Sequence, residues 1–259
     1  MDADRINFFA DMLFRAEKDR EAVPPLTLQD KSISLEDAYH IQLQNVSRAL
    51  AMGHVISGKK IGLTSPGIQK QLGVNEPDYG HLFSAMECKD GRINTGELLQ
   101  PKIEGEIAFV LKADLAGGKI TREDVIKNTG YVVAAFEIVD SRVEDWKIKL
   151  PDTVADNASS GRYVLGTKKL KIDEAELPSI TMKLYKNGEL AGEGSGAAVM
   201  GDPCVSVAWL ANRLWDFGVA LKAGEVILSG AFSAAPAAKK GDIFTAEFSL
   251  FGNVEAEFV

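Results

Sequence analysis

The sequence predicts an α+β fold, with a helical N-terminal region over residues 1–57 and a mainly β body over residues 58–259. Apolar residues recur at helical spacing twice in the first quarter of the chain, whereas short strand-like segments separated by turn residues dominate the remainder. The order lacks the regular alternation of strand and helix that is typical of nucleotide-binding folds. With 259 residues, 46% of them hydrophobic, the chain can bury a full core as one large domain or two small ones, and one compact unit is expected.

Two amphipathic helices are predicted in the N-terminal region. The first spans residues 6–18 and ends before Pro24-Pro25, because proline cannot continue a helix. The second begins after Ser34, an N-cap residue with Asp37 three positions on, and runs to about residue 52. The residues expected on the core-facing stripes are Phe9, Leu13, Ala16, Ala38, Ile41 and Leu50.

Strands, turns and a further helix are predicted in the body. Asn187-Gly188 lies between two strand-like segments and supplies the positive φ that a type I′ hairpin turn needs. A helix should begin at Asp202-Pro203 and end at Trp215 or Phe217, and Gly252-Asn253 should form the last turn. The predicted strands cover residues 59–63, 103–111, 131–139, 162–165, 226–229, 243–248 and 254–258.

The segment from Ile103 to Leu111 is the most informative part of the chain, because it carries two carboxylates inside an apolar strand pattern. Side chains alternate between the two faces of a strand, so Glu104 and Glu106 point the same way, roughly 7 Å apart. Burying an unpaired carboxylate is costly. Two of them on one face therefore call for a cation between them or for raised pKa values, and a divalent metal is the simplest answer.

Glu137 is the third candidate acid, because it also stands inside an apolar segment, residues 132–139. Three carboxylates with remaining positions for water or substrate make a hard, oxygen-rich site, which favours Mg²⁺ or Mn²⁺ over Zn²⁺. The alternative is that one or more of these acids forms an ion pair with a basic residue. Lys102 and Arg142 are close enough in sequence to serve.

Further candidate residues lie in three polar segments. Lys59 and Lys60 point to opposite faces of a short strand, so at most one should face inward, where it could stabilise an anion or move a proton. Otherwise both are solvated at a strand end. Asp78 and His81 stand in a loop-like segment and form either an acid/base pair or simply a turn. The loop over residues 152–161 could bind a carboxylate through hydroxyl and backbone N–H groups.

Composition and charge argue against several classes of partner. The net charge of −8 argues against nucleic acid or an anionic membrane. The N-terminus lacks the apolar core of a signal peptide, and no run of about 18 apolar residues could span a membrane. Cys88 and Cys204 stand alone, which suits a reducing compartment and excludes a cysteine-based zinc site. We therefore expect a soluble cytoplasmic protein.

The order of these motifs resembles the 2-keto-4-pentenoate hydratase family, which belongs to the fumarylacetoacetate hydrolase superfamily and includes 4-oxalocrotonate decarboxylases. The resemblance runs over nearly the whole chain. The segments that carry it are residues 58–65, 71–74, 77–80, 101–109, 137–142, 154–160 and 221–225.

This resemblance implies a mixed, strongly curved β-fold with helices packed around it. It also implies a homo-oligomer that takes a small 2-oxo acid as substrate. Association with other enzymes of the same pathway is compatible with the resemblance. The residues expected in the site are Glu104, Glu106 and Glu137 as metal ligands, Lys60 and Asp78 as catalytic groups, and Ser160 at the substrate carboxylate.

The same resemblance implies a metal-dependent lyase. Related C–C hydrolases activate water with a histidine before the acidic motif, and no histidine occurs here between His54 and His81, which favours hydration or decarboxylation. Residues 58–62 and 145–149 look more like the hydratase branch. The expected reaction therefore hydrates 2-hydroxypenta-2,4-dienoate to 4-hydroxy-2-oxopentanoate in the meta-cleavage degradation of aromatics. The alternative is decarboxylation of 4-oxalocrotonate.

Two alternatives stay open at this point. A carboxylate-lined cation site could be purely structural, in a binding protein that is not an enzyme. The distal end of the substrate is not fixed either, because Arg142, Arg162 or Lys147 could bind a distal carboxylate and nothing in the sequence places them.

Overall fold

The computed structural model describes residues 1–72, 74 and 76–259. Gly73, from the motif at residues 71–74, and Asn75, in the loop-like segment before Asp78, lie outside the described residues. The helices are α1 Ala3–Asp19, α2 Leu26–Gln29, α3 Leu35–Ala51, α4 Pro66–Leu72, α5 Arg122–Asn128, α6 Leu150–Ala155 and α7 Pro203–Trp215. The strands are β1 Ile56–Gly62, β2 Asp78–Phe83, β3 Arg92–Ile93, β4 Pro101–Leu111, β5 Thr129–Asp140, β6 Ser160–Leu165, β7 Thr181–Lys186, β8 Glu189–Ser195, β9 Val226–Leu228, β10 Ile243–Phe248 and β11 Gly252–Phe258.

The strands form two mixed sheets. The first has the order β2-β1-β9-β4-β5-β6 and the second the order β3-β11-β10-β7-β8. In the first sheet β1 pairs with β9 in parallel, whereas β4 and β5 form a long antiparallel pair that runs from Pro101 opposite Asp140 to Leu111 opposite Thr129. The predicted α+β class is therefore confirmed.

Local sequence signals account for several element ends. The predicted start of α3 is confirmed by a capping box, in which Ser34 Oγ accepts the Asp37 N–H at 3.1 Å and the Asp37 carboxylate accepts the Ser34 N–H at 3.0 Å. The predicted hairpin joins β7 to β8, with φ of 53° at Asn187 and 84° at Gly188. Asp202 caps α7 by accepting the Cys204 N–H at 2.8 Å.

Two predictions about positions are wrong. Leu50 is 46% exposed, whereas Ala38 and Ile41 are fully buried. Nine positions separate Leu50 from Ile41, about two and a half helical turns, so the two side chains point to opposite sides of α3. The last turn lies at residues 249–251 rather than at Gly252-Asn253, because Gly252 already pairs with Phe248 as the first residue of β11.

The first sheet has two faces with different surroundings. Ile107 and Phe109 of β4 and Phe136 of β5 are fully buried on one face, in a core that also contains apolar residues of α1, α3, α7 and the second sheet. The alternate residues of the same strands, among them Glu106 and Glu137, point to the opposite face. The polar site is built on this second face.

Gln42 of α3 joins the N-terminal helices to the body. Its Nε2 donates to the carbonyl oxygens of Tyr79 and Val154 at 3.0 and 2.8 Å, and its Oε1 lies 3.2 Å from His81 Nδ1. The side chain is fully buried, so each of these bonds replaces one to water. Within the described ranges, none of the helices has the length and hydropathy that a membrane span requires.

The close approach of β1 to β9 yields a stability prediction. A Cβ at Gly58 would lie 1.8 Å from the Val226 carbonyl oxygen, a backbone atom that cannot move aside. Gly58→Ala should therefore lower the free energy of unfolding by about 1–3 kcal/mol, measured by urea denaturation. Gly67→Ala in α4 is the matched control, because its Cβ meets no atom within 4 Å. An equal loss in both variants would contradict the steric explanation.

Candidate functional site

The antiparallel pairing of β4 with β5 brings the three predicted acids together. Glu104 lies directly opposite Glu137 in the register, and Glu106 follows on the same face of β4. Each of the three offers one carboxylate oxygen, and these atoms lie within 4.8 Å of one another. The geometry is that of a cluster in which three carboxylates could share one cation.

Several oxygens of this cluster have no hydrogen-bond partner. Glu106 and Glu137 are fully buried. Glu106 Oε2 accepts the Gly230 N–H at 2.8 Å, but Glu106 Oε1 and both oxygens of Glu137 find no hydrogen bond among the described residues. Buried polar atoms are normally satisfied. The unsatisfied oxygens, all aimed into one cluster, therefore fit a bound cation.

Burial and mutual repulsion shift the pKa values of these acids. Burial raises the pKa of Glu137 to about 7, and burial with the nearby Glu137 and Glu104 raises that of Glu106 well above its usual range. Carboxylates that resist ionisation in the apo protein would ionise when a cation is bound. Because the donors are all carboxylate oxygens, the set fits a hard divalent cation such as Mg²⁺.

Lys60 supplies a buried ammonium group beside the acids. Its Nζ lies 3.2 Å from Glu137 Oε1, an ion-pair distance, and donates to the Ala158 carbonyl at 2.8 Å. Burial alone would lower the pKa of Lys60, but the carboxylates of Glu137 and Asp78 outweigh it and raise the pKa above its ordinary value. The surrounding carboxylates therefore favour the ammonium form of Lys60.

Asp78 is a buried acid on the neighbouring strand β2, next to Lys60. Its Oδ2 accepts from Thr153 Oγ1 at 3.3 Å, while Oδ1 has no hydrogen bond among the described residues. Burial raises the pKa of this carboxyl above its usual value, which favours its protonated form. Gly62 makes room for the pair: a Cβ there would lie 2.3 Å from Asp78 Oδ1 and 3.3 Å from Lys60 Nζ.

The prediction that Asp78 and His81 lie in a loop is wrong. Both residues lie in β2, which pairs with β1 along its whole length. Their separation of three puts them on opposite faces. His81 contacts Gln42 on its own side, and burial lowers its pKa to about 3. The two residues thus form neither an acid/base pair nor a turn.

A left-handed turn beside β2 contributes a hydroxyl that the sequence did not single out. The three consecutive residues Asn157, Ala158 and Ser159 have φ between 50° and 53°, a conformation that non-glycine residues avoid. Ser160 Oγ already donates to the Asn157 carbonyl at 2.7 Å, whereas the buried Ser159 Oγ has no partner among the described residues. Ser159, rather than the predicted Ser160, has the free hydroxyl. Residues 152–161 are also less of a loop than predicted, because α6 and this turn occupy most of them.

Comparison with known proteins identifies the fold. The family model described as fumarylacetoacetate (FAA) hydrolase C-terminal matches residues 83–259. The chain is 45% identical to a 2-hydroxyhexa-2,4-dienoate hydratase of Comamonas testosteroni, over 95% of this chain and 94% of the relative. The chain belongs to the fumarylacetoacetate hydrolase family. It is also 49% identical to a 2-hydroxypent-2,4-dienoate hydratase of Pseudomonas putida, over 85% of this chain and 100% of the relative.

A solved structure of the same family matches the whole chain. The 4-oxalocrotonate decarboxylase from Pseudomonas putida G7, complexed with magnesium and adipate, superimposes with a TM-score of 0.96 at 36% identity, covering 100% of this chain and 99% of that chain. The predicted family, the curved fumarylacetoacetate hydrolase-like fold and the lyase class are thereby confirmed.

The alternative that one or more of the acids forms an ion pair with a basic residue holds for Glu137 and Lys60, whereas Lys102 and Arg142, the residues considered for it, form no ion pair with the three acids. Arg142 is buried against Asp156, with its Nε 2.5 Å from Asp156 Oδ1, and Lys102 lies over the Trp146 ring. Lys59 is as buried as Lys60, so the expectation that at most one would face inward is wrong. Lys59 satisfies its charge on the opposite face, 2.9 Å from Glu225 Oε1.

The buried pair of Arg142 and Asp156 should stabilise the wall of the site. Asp156→Asn leaves the buried guanidinium without its counter-charge, so the free energy of unfolding should fall by about 3–5 kcal/mol, measured by urea denaturation. Asp145→Asn breaks the exposed pair with Lys147 and serves as the control, with a loss below about 1 kcal/mol. A small loss in both variants would argue that the buried pair is dispensable.

Proposed function

We propose that this protein is a divalent-metal-dependent hydratase that converts 2-hydroxypenta-2,4-dienoate and water to 4-hydroxy-2-oxopentanoate. The observation that carries the proposal is the cluster of three buried carboxylates with unsatisfied oxygens beside the buried ammonium of Lys60. Two relatives that match nearly all of their length are hydratases of short 2-hydroxydienoates. The reaction would belong to the meta-cleavage degradation of aromatics.

Glu104, Glu106 and Glu137 would hold the metal. Mg²⁺ is the first candidate, because the donors are all oxygen and the solved decarboxylase is a magnesium complex. Mn²⁺ would suit the same donors. When bound, the metal would polarise the oxygen at C2 of the substrate and so favour the removal of its proton.

The protein's own groups would then move protons and charge. The C2 hydroxyl loses its proton and C5 gains one, which leaves a 2-oxo-3-enoate; hydroxyl then adds at C4 and a proton at C3. The permanent charge of Lys60 would stabilise negative charge on the substrate oxygen. Asp78, whose raised pKa lets it hold or release a proton, would serve as the proton carrier or orient the attacking water.

The hydroxyl of Ser159 would bind the substrate carboxylate. It is buried, unsatisfied and held next to the Ala158 carbonyl that accepts from Lys60. The left-handed turn that presents it is a strained backbone conformation of the kind often found at functional sites. Ser160 stays a weaker candidate, since its hydroxyl is already used within the turn.

Decarboxylation of 4-oxalocrotonate is the second candidate, because the solved decarboxylase matches the whole chain. Both reactions would place negative charge on the C2 oxygen of the substrate, which the metal and Lys60 would stabilise, so the site alone fits either. Three further points stay predictions: the division of the chain at residue 58, the homo-oligomeric state with any association with other pathway enzymes, and the cytoplasmic location.

Removal of a metal ligand should separate metal binding from folding. Mg²⁺ should raise the melting temperature of the wild-type protein by about 5 °C or more at a hundredfold excess over its Kd. Glu106→Gln should abolish this rise and lower turnover by at least about a hundredfold, while keeping the fold by circular dichroism. Glu97→Gln removes an exposed carboxylate outside the cluster and should keep both. Full activity of Glu106→Gln would contradict the assignment of Glu106 as a metal ligand.

Product analysis decides between the two reactions. Metal-stripped protein is given 2-hydroxypenta-2,4-dienoate or 4-oxalocrotonate, each with and without Mg²⁺, and the products are followed by NMR. We expect 4-hydroxy-2-oxopentanoate from the first compound, and only with metal. Loss of CO₂ from the second, with the first left unhydrated, would make the protein the decarboxylase. No reaction and no metal effect would point to a non-enzymatic protein.

A further inference from the structure

The carboxylate cluster has its more exposed end toward the start of β4. Glu106 is fully buried, Glu104 is partly exposed, and Lys102, two residues further on, is also partly exposed on the same face. A ligand that approached the cluster from the exposed side of Glu104 would therefore meet the ammonium group of Lys102.

Lys102 contacts an indole ring, and the Glu104 carboxylate acts on it only from beyond ion-pair distance. Its Nζ lies 4.2 Å from the centroid of the Trp146 ring, a cation–π contact. No carboxylate of the described residues lies within ion-pair distance of it. This distinguishes it from Lys60, which is already bonded to Ala158 and paired with Glu137. The charge of Lys102 is thus available to a ligand.

The turn that carries Trp146 has a strained backbone conformation that hydrogen bonds to Gln100 stabilise. Asp145 and Trp146 are consecutive non-glycine residues with φ of 54° and 55°. Gln100 holds them: its carbonyl accepts from Trp146 Nε1 at 3.0 Å, and its Oε1 accepts the Asp145 N–H at 2.7 Å. Such a conformation persists only when its surroundings fix it. Here the bonds from Gln100 hold the indole of Trp146 over the ammonium group of Lys102.

The sum of the charges in the site indicates a role for the ammonium group of Lys102. Three glutamates would be matched by a divalent cation and Lys60, so nothing in that set matches the negative charge that a carboxylate substrate brings. Lys102 supplies a positive charge on the partly exposed side of Glu104. Positive charge at the mouth of a site raises the local concentration of an anionic substrate.

We propose that Lys102, positioned by Trp146, is a substrate-binding residue that attracts the carboxylate of the incoming substrate toward the site, where Ser159 would also bind it. The proposal rests on the proposed function, because it names the side chain that this site uses to bind its anionic substrate. It assigns a role to the segment at residues 145–149, which the reaction itself does not use.

The test compares Lys102→Gln and Lys102→Arg in the Mg²⁺-loaded protein. Binding of oxalate is measured by calorimetry at about 20 mM and about 300 mM NaCl, two ionic strengths with very different screening, and the hydration of 2-hydroxypenta-2,4-dienoate is followed in parallel. Lys147→Gln is the matched control, since Lys147 is a nearby exposed lysine paired with Asp145. Melting temperatures with and without Mg²⁺ report whether each variant folds and binds the metal.

Lys102→Gln should weaken oxalate binding and raise KM about tenfold at low salt, with a smaller gap at high salt and kcat within about twofold of wild type. Lys102→Arg should restore binding, and Lys147→Gln should change nothing. Unchanged oxalate affinity and salt dependence in Lys102→Gln, or a fall in kcat and melting temperature without a change in KM, would overturn the proposal. Failure of the wild-type protein to bind oxalate would instead count against the proposed function.

Discussion

The burial of three carboxylates on one sheet face is the constraint on which the rest of the site depends. The register of β4 against β5 sets Glu104 opposite Glu137, and neither strand can shift by one residue without exchanging its apolar and acidic faces. The apolar face is fixed by the core, where residues such as Phe109 and Phe136 are fully buried. The hydrophobic core therefore determines where the negative charge lies.

Other features of the site are arranged around this negative charge. Lys60 remains an ammonium group because the carboxylates around it outweigh the cost of its burial. Gly62 keeps the space next to Asp78 open, and the left-handed turn at residues 157–159 directs the Ala158 carbonyl toward Lys60. Each of these residues is explained by a contact inside the site rather than by the stability of its own segment.

Strand alternation and local turn chemistry predicted the fold class, most elements and the three acids. These features depend on short-range patterns, such as the spacing of Glu104 and Glu106, that tertiary contacts do not overturn. The loop assigned to Asp78 was wrong because its strand exists only through pairing with β1. The choice of Ser159 over Ser160 was beyond the sequence, since it depends on a backbone conformation that alanine and serine locally disfavour.

The side chain of Gln42 crosses the predicted boundary at residue 58 and bonds to the body of the protein. A body begun there would leave the Tyr79 and Val154 carbonyls, which face the removed helix, without their donor, and His81 without its neighbour. Tyr79 lies beside Asp78, and Val154 lies in the helix that leads into the left-handed turn. Through Gln42, the N-terminal helices thus support the strand that carries Asp78 and the helix that leads into the left-handed turn. Recombination between family members should therefore exchange the two regions together.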